Sequence, residues 1–156
     1  MRNFIFLGLL TPIFWLGATE MEINNEAKQV IYQYAEIIDS RNFDKLDSIM
    51  WPDFSMSGGY DLKGIDGFMG AMNYLAATYD STMHFIGNID GAWDGNIYKG
   101  KTYCIASHMF VEDGQSKKLD MGIIYEDTLE RRGDDVKFVN RSFNLQWQKT
   151  ELLDPQ

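Results

Sequence analysis

Asp39 is in the wrong place for an ordinary surface acid. Ala27, Val30, Ile31, Tyr34, Ala35 and Ile38 recur at spacings of three and four, which predicts an amphipathic helix with one apolar stripe. Asp39 continues that stripe in the helix's last turn, where the negative end of the helix dipole also disfavours a carboxylate. A cation or a proton donor has to meet it. The chain holds two histidines, His84 and His108. A carboxylate that hydrogen-bonds one histidine nitrogen fixes the tautomer and makes the other nitrogen a better general base. Asp39, His84 and His108 are therefore the candidates for acid–base chemistry, with Arg141 as a fourth group that can stabilise developing negative charge.

The elements that must carry these residues divide at Thr82. Before it the apolar spacing is helical. Asn24 or Asn25 can cap the first helix, Phe43–Met50 reads as a short second one, and Gly64–Tyr79 as a third, with Ile65, Phe68, Met69, Met72, Leu75, Ala76 and Tyr79 on one face. Ser57-Gly58-Gly59 marks a turn after a short extended piece. From Thr82 the period is two. Asp94-Gly95-Asn96, Asp113-Gly114-Gln115 and Gly133-Asp134 separate four extended segments, the pattern of an antiparallel meander. The fold class is α+β: three N-terminal helices against one face of a curved antiparallel sheet, cone-shaped and enclosing a pocket, in one domain spanning 22–150.

Strand alternation sorts the candidates by face. Thr102, Cys104, Ala106, His108 and Phe110 share a largely apolar face. Tyr125 and Asp127 interrupt the row Leu119, Met121, Ile123, Leu129. Arg141 is the one charge in the row Val139, Arg141, Phe143, Leu145, Trp147, and Asn140, Ser142, Asn144 and Gln146 form the opposite row. His84 starts the first long strand on a mixed face with Thr82, Ile86 and Asn88. One acid, one arginine and at least one histidine thus point to the inner side of the sheet, with Asp39 approaching from the helices. Tyr34, Tyr125 and Asp127 are the candidates for contact with a bound molecule. Each has a plainer reading. Asp127 and Arg141 come close across the last hairpin and can neutralise one another; His108 can be a satisfied core histidine; the tyrosines can be core aromatics whose hydroxyls find a partner. Two histidines and an aspartate could also mimic a facial metal site, although no ligand-type His-x-Asp spacing occurs.

Composition narrows the partners. The 156 residues carry 23 acids against 14 basic residues, a net charge of −9. With no basic cluster longer than Lys117-Lys118 or Arg131-Arg132, neither nucleic acid nor an anionic membrane surface is an expected partner. The single cysteine, Cys104, makes neither an internal disulfide nor a cysteine metal site. Met1–Ala18, with Arg2 followed by an apolar run and Leu16-Gly17-Ala18, reads as a secretory signal peptide, which places the mature chain in the periplasm or outside the cell; if Met21 is the true start, the chain is cytoplasmic.

Three stretches resemble the SnoaL-like group of the nuclear transport factor 2-like superfamily. Tyr34-Ala35-Glu36-Ile37-Ile38-Asp39-Ser40-Arg41-Asn42-Phe43-Asp44-Lys45-Leu46 is similar to the family's first-helix motif. Thr82-Met83-His84 resembles its Thr-x-His strand start. Tyr125-Glu126-Asp127, Arg131-Arg132-Gly133 and Val136-Lys137-Phe138 resemble its final hairpin. The likeness spans about residues 24–148. Two enzyme branches match best. Resemblance to scytalone dehydratase implies that Asp39 supports His84, with His108 as second histidine; Ile38 and the 58–60 stretch stand nearest that branch's tyrosines, and Tyr125 stands at an Asn. Resemblance to hexachlorocyclohexane dehydrochlorinase implies the same dyad and matches Arg141 to an essential arginine, while Tyr34 replaces a lysine. The implied activity is a lyase or isomerase that needs no cofactor and acts on a small hydrophobic molecule. The resemblance also implies a homodimer through the outer face of the sheet, or a homotrimer, although the row Asn140, Ser142, Asn144, Gln146 does not advertise a dry interface. A pocket or scaffold without catalysis on the same fold is the alternative.

Overall fold

The computed structural model describes residues 20–59 and 61–154, so the leader assigned to Met1–Ala18 lies outside the described residues. The chain order is α1 (Glu20–Asp39), a 3₁₀ helix (Phe43–Ser48), β1 (Met50–Ser57), β2 (Leu62–Lys63), α2 (Gly64–Thr78), β3 (Ser81–Asp94), β4 (Ile97–Glu112), β5 (Gln115–Arg132) and β6 (Asp135–Leu152). Two differences from the sequence expectation are local. The second helix is a 3₁₀ turn. The first begins at Glu20, so Asn24 and Asn25 lie inside it rather than at its cap.

The six strands form a curved, open sheet in the order β2-β1-β6-β5-β4-β3. β3 to β6 make the expected meander. The sheet is nevertheless mixed rather than antiparallel throughout, because β1 pairs in parallel with β6. The helices cover one face. Ala27, Val30, Ile31, Tyr34, Ile37 and Ile38 of α1 are buried there with Phe68 and Met72 of α2. Phe54 meets Phe68 and Phe138 edge-on, with ring centroids 5.5 and 6.5 Å apart, and Tyr34 meets both of these rings at 6.0 Å. No helix among the described residues is long and apolar enough to cross a membrane.

Two irregularities in the β5–β6 ladder decide which side chains face inward. Leu129 pairs with Phe138, but Thr128 pairs with Asn140, so β6 carries one extra residue at Val139. That shift sets Arg141 opposite Asp127, where an unbroken ladder would have placed Asn140. A second shift follows, since Ile123 pairs with Leu145 but Gly122 with Trp147. Trp147, predicted to face inward, therefore lies on the outer face. Its indole covers Gly122, where an added Cβ would fall 2.2 Å from the ring carbon Cε2. Gln148 turns inward in its place. The outer face is consequently less polar than the row Asn140, Ser142, Asn144, Gln146 suggests: Phe85, Tyr103, Ile105 and Trp147 border a shallow hollow there.

Candidate active site

The helices do not fill the concave face. A cavity of about 440 Å³ remains between α1, α2 and the inner rows of β3 to β6, a size suited to a small organic molecule. Tyr34 and Ile38 of α1, Met72 and Leu75 of α2, and Ala106, Met121, Ile123 and Phe143 of the sheet supply mostly apolar walls. Among the described residues the polar groups on the lining are Tyr34, Tyr74, Tyr79, His84, His108, Tyr125 and Gln148, with no Lys, Arg, Asp or Glu.

Asp39 and His84 meet at one side of this cavity. The His84 ring nitrogen Nδ1 is 2.7 Å from Asp39 Oδ1, and the His84 backbone N–H donates to Asp39 Oδ2 at 2.7 Å. β3 is the edge of the sheet, so this backbone donor would otherwise lack a ladder partner. The Thr82 hydroxyl donates to Oδ1 at 2.8 Å. Burial pushes the Asp39 carboxyl up, but the bonds from the His84 ring, its backbone and Thr82 together hold it below the ordinary carboxylate value. An ionised carboxylate only accepts, so the proton between the two groups resides on Nδ1. The other nitrogen of His84, Nε2, has no protein partner among the described residues. Asp39 itself is not on the cavity lining; its contact with the cavity wall is His84.

His108 lies across from this pair, its ring centroid 6.0 Å from that of His84 and 4.7 Å from that of Tyr79. It is buried, and its Nδ1 has no hydrogen-bond partner. Burial, reinforced by His84, pushes its pKa down to about 4, so the ring is neutral at pH 7. Tyr34 and Tyr125 meet edge-on at 6.3 Å. Burial raises the Tyr34 pKa to about 12 and that of Tyr125 well above the usual phenol value. Both hydroxyls keep their protons near neutrality, and that of Tyr34 meets the Arg141 side chain.

Arg141 and Asp127 do not reach the cavity. Arg141 is wholly buried, its Nε donating to Asp127 Oδ1 at 2.7 Å and one terminal nitrogen to Oδ2 at 2.9 Å, while Thr102 donates to Oδ2 at 2.7 Å. Its guanidinium lies 4.2 Å from the ring centroids of both Tyr34 and Tyr125 and 4.5 Å from that of Phe138. Burial opposes the charge, but Asp127 outweighs it and holds the guanidinium above its ordinary pKa. Ladder counting brings these residues near one another, and the extra residue at Val139 makes them direct partners; the tyrosine rings stand between the pair and the cavity. Among the described residues no three His, Cys, Asp or Glu side chains converge as metal ligands. Tyr79, which the spacing places on a helix face, lies on the extended residue after α2 and packs at a tilt against His108. Thr82, on the same strand face as His84, and Arg41, part of the first-helix motif, both join the hydrogen bonds around Asp39.

A helix-backed curved sheet with a polar pair inside an apolar cavity defines a class of pocket domains. The chain belongs to the SnoaL-like domain family, which it matches over residues 19–142. The protein Rv2910c of Mycobacterium tuberculosis, itself uncharacterized, is 27% identical over 130 residues, covering 81% of this chain and 87% of its own. Among solved structures, hexachlorocyclohexane dehydrochlorinase LinA-type3 from Novosphingobium barchaimii superposes with a TM-score of 0.74 at 18% identity, over 84% of this chain and 91% of its own. A candidate scytalone dehydratase from Novosphingobium aromaticivorans gives 0.75 at 14% identity, over 83% and 87%. These likenesses establish the nuclear transport factor 2-like fold.

Two outcomes follow for stability. Asp127→Asn leaves the Arg141 charge buried without its counter-ion and should destabilise the fold by about 3–5 kcal/mol in urea unfolding. For His108 the folded pKa lies below the unfolded one, so the unfolded chain binds the extra proton between pH 6.5 and about 4. The stability held above that window is lost as pH falls through it, by up to about 3 kcal/mol. His108→Leu should remove this part of the acid sensitivity, measured as urea midpoints at pH 7 and pH 4.5.

Proposed function

We propose that the protein is a cofactor-independent lyase, a dehydratase or dehydrohalogenase, or an isomerase, acting on a small, neutral, cyclic hydrophobic molecule. The observation that carries this reading is the arrangement of His84: Nδ1 held by Asp39, the ring on the wall of an apolar cavity. Nε2 takes a proton from a carbon of the bound molecule. The C–H electron pair becomes the new double bond, and either a halide ion departs from the neighbouring carbon, or a hydroxyl departs there as water with the proton that Nε2 has taken, or that proton returns at a different carbon. Tyr34 and Tyr125, which keep their protons, donate hydrogen bonds to the oxygen or halide where negative charge develops. His108, whose neutral ring lines the cavity beside His84, is the second acid–base candidate. Arg141 and Asp127 act from behind, fixing the two tyrosine rings. The absence of Lys, Arg, Asp and Glu from the lining among the described residues favours a neutral substrate, because a carboxylate or phosphate would be desolvated there without a fixed counter-charge. The SnoaL-like relatives that are dehydrochlorinases support the reaction class by analogy. The exposed apolar outer face, with Phe85, Ile105 and Trp147, is the surface we assign to a homodimer or homotrimer.

The test is turnover of hydroxylated and halogenated cyclic compounds, followed by double-bond absorbance and halide release. For a compound the wild type converts, His84→Ala should lower kcat by about 10²–10⁴ and leave binding within a few fold, and Asp39→Asn should act in the same direction. Compounds that bind in the cavity with a defined stoichiometry yet are never converted, by wild type or variant, would instead identify a binding protein.

A further inference from the structure

Arg41 has a backbone conformation that its side chain does not explain locally. Its φ is +60°, in the left-handed region. The Asn42 N–H donates to the Ile37 carbonyl at 3.1 Å and the Arg41 N–H to the Ile38 carbonyl at 3.3 Å. This is the closing turn at the C-terminus of α1 whose left-handed position is normally given to Gly or Asn, because a Cβ is strained there. The guanidinium reaches three acceptors on three parts of the chain. One terminal nitrogen donates to the Ile38 carbonyl at 3.1 Å and to the Thr82 hydroxyl oxygen at 3.0 Å, and the other to the Tyr79 carbonyl at 3.4 Å. It therefore ties the end of α1 to the residue after α2 and to the edge strand β3.

The chemistry of the donors gives that contact a direction. A guanidinium has five N–H donors and no acceptor, so the Thr82 oxygen must accept from Arg41. Thr82 has one hydroxyl proton, and its other polar partner is Asp39 Oδ1 at 2.8 Å. That proton is thus directed at the carboxylate, which must accept it. Oδ2 is occupied by the His84 backbone N–H, and Oδ1 also faces His84 Nδ1 at 2.7 Å. The ring of His84 is otherwise met by Tyr34 and His108 through ring contacts. Arg41 also places a positive charge next to Asp39 at the helix end where a carboxylate is least favoured.

We propose that Arg41 is a positioning residue for the Asp39–His84 pair: heading the chain Arg41→Thr82→Asp39, it holds the carboxylate where it keeps the His84 proton on Nδ1. This rests on the reading of Asp39 and His84 as the acid–base pair. Its consequence is that replacing Arg41 frees the Thr82 hydroxyl to turn and the half-buried carboxylate to swing toward water, and His84 loses its single tautomer.

The experiment is nitrogen-15 NMR of the full chain at pH 8, reading from long-range imidazole correlations which nitrogen of His84 carries the proton. Wild type should show Nδ1–H alone. Arg41→Gly suits the left-handed backbone, so a residue that only closes the helix would leave Tm unchanged or raised and the tautomer intact. The proposal expects the Nδ1–H signature to be lost in Arg41→Gly with Tm held, and to return in part in Arg41→Lys. Thr82→Val, which leaves Arg41 its two carbonyl contacts, should lose the signature as well and carries the test if Arg41→Gly does not fold. Retention of Nδ1–H alone in whichever of these two variants folds overturns the role of Arg41 and leaves the dyad standing. A wild-type protein with its proton on Nε2 overturns the dyad itself and this inference with it.

Discussion

A carboxylate at the C-terminal end of a helix, on the face that the helix buries, is unfavourable on two counts, and the surroundings of Asp39 are arranged around that fact. The dipole of α1 repels it and burial desolvates it. The side-chain donors of Thr82 and His84 and the backbone N–H of His84 offset both effects. All of these come from the start of β3, the edge strand of the sheet. One ionic group thus satisfies an otherwise unpaired strand edge, docks the end of α1 and fixes the orientation of a histidine ring. The last of these joins the fold to the chemistry, since only a ring held by one nitrogen presents the other in a defined direction.

The second charged centre works differently. Arg141 and Asp127 are fully desolvated, and such a pair gains little net stability over apolar packing while costing much if half of it is removed. What the pair gives is order. Its guanidinium lies against Tyr34, Tyr125 and Phe138 at once, so one cation fixes three rings of the inner wall. The cavity is then lined by two tyrosines that keep their protons, with the cation against their rings. A neutral lining with one oriented base suits proton removal from carbon in a molecule that carries no charge of its own.

Much of this was legible in the sequence because the relevant patterns are local. The helical stripe isolated Asp39, strand alternation set His108 and Asp127 on the inner face, and hairpin counting brought Asp127 toward Arg141. What escaped depends on contacts between distant segments or on single backbone angles. The parallel pairing of β1 with β6 leaves no mark on either strand. The extra residues at Val139 and Gln146 shift β6 by one, and alternation alone then carried Trp147 to the wrong face. Arg41 gives no local warning either: the expected residue in a left-handed closing turn is Gly, and the contacts that make arginine suitable lie on Tyr79 and Thr82, about forty positions along the chain.

The central claim is the protonation pattern of a pair, an unprotonated Asp39 and a His84 with its proton on Nδ1 only. Neutron diffraction from deuterium-exchanged crystals at pH 8 observes it directly. The account predicts deuterium on His84 Nδ1, none on Nε2, and none on either oxygen of Asp39. Deuterium on Nε2 in place of Nδ1, or on the Asp39 carboxyl, would contradict it and leave the cavity without a base.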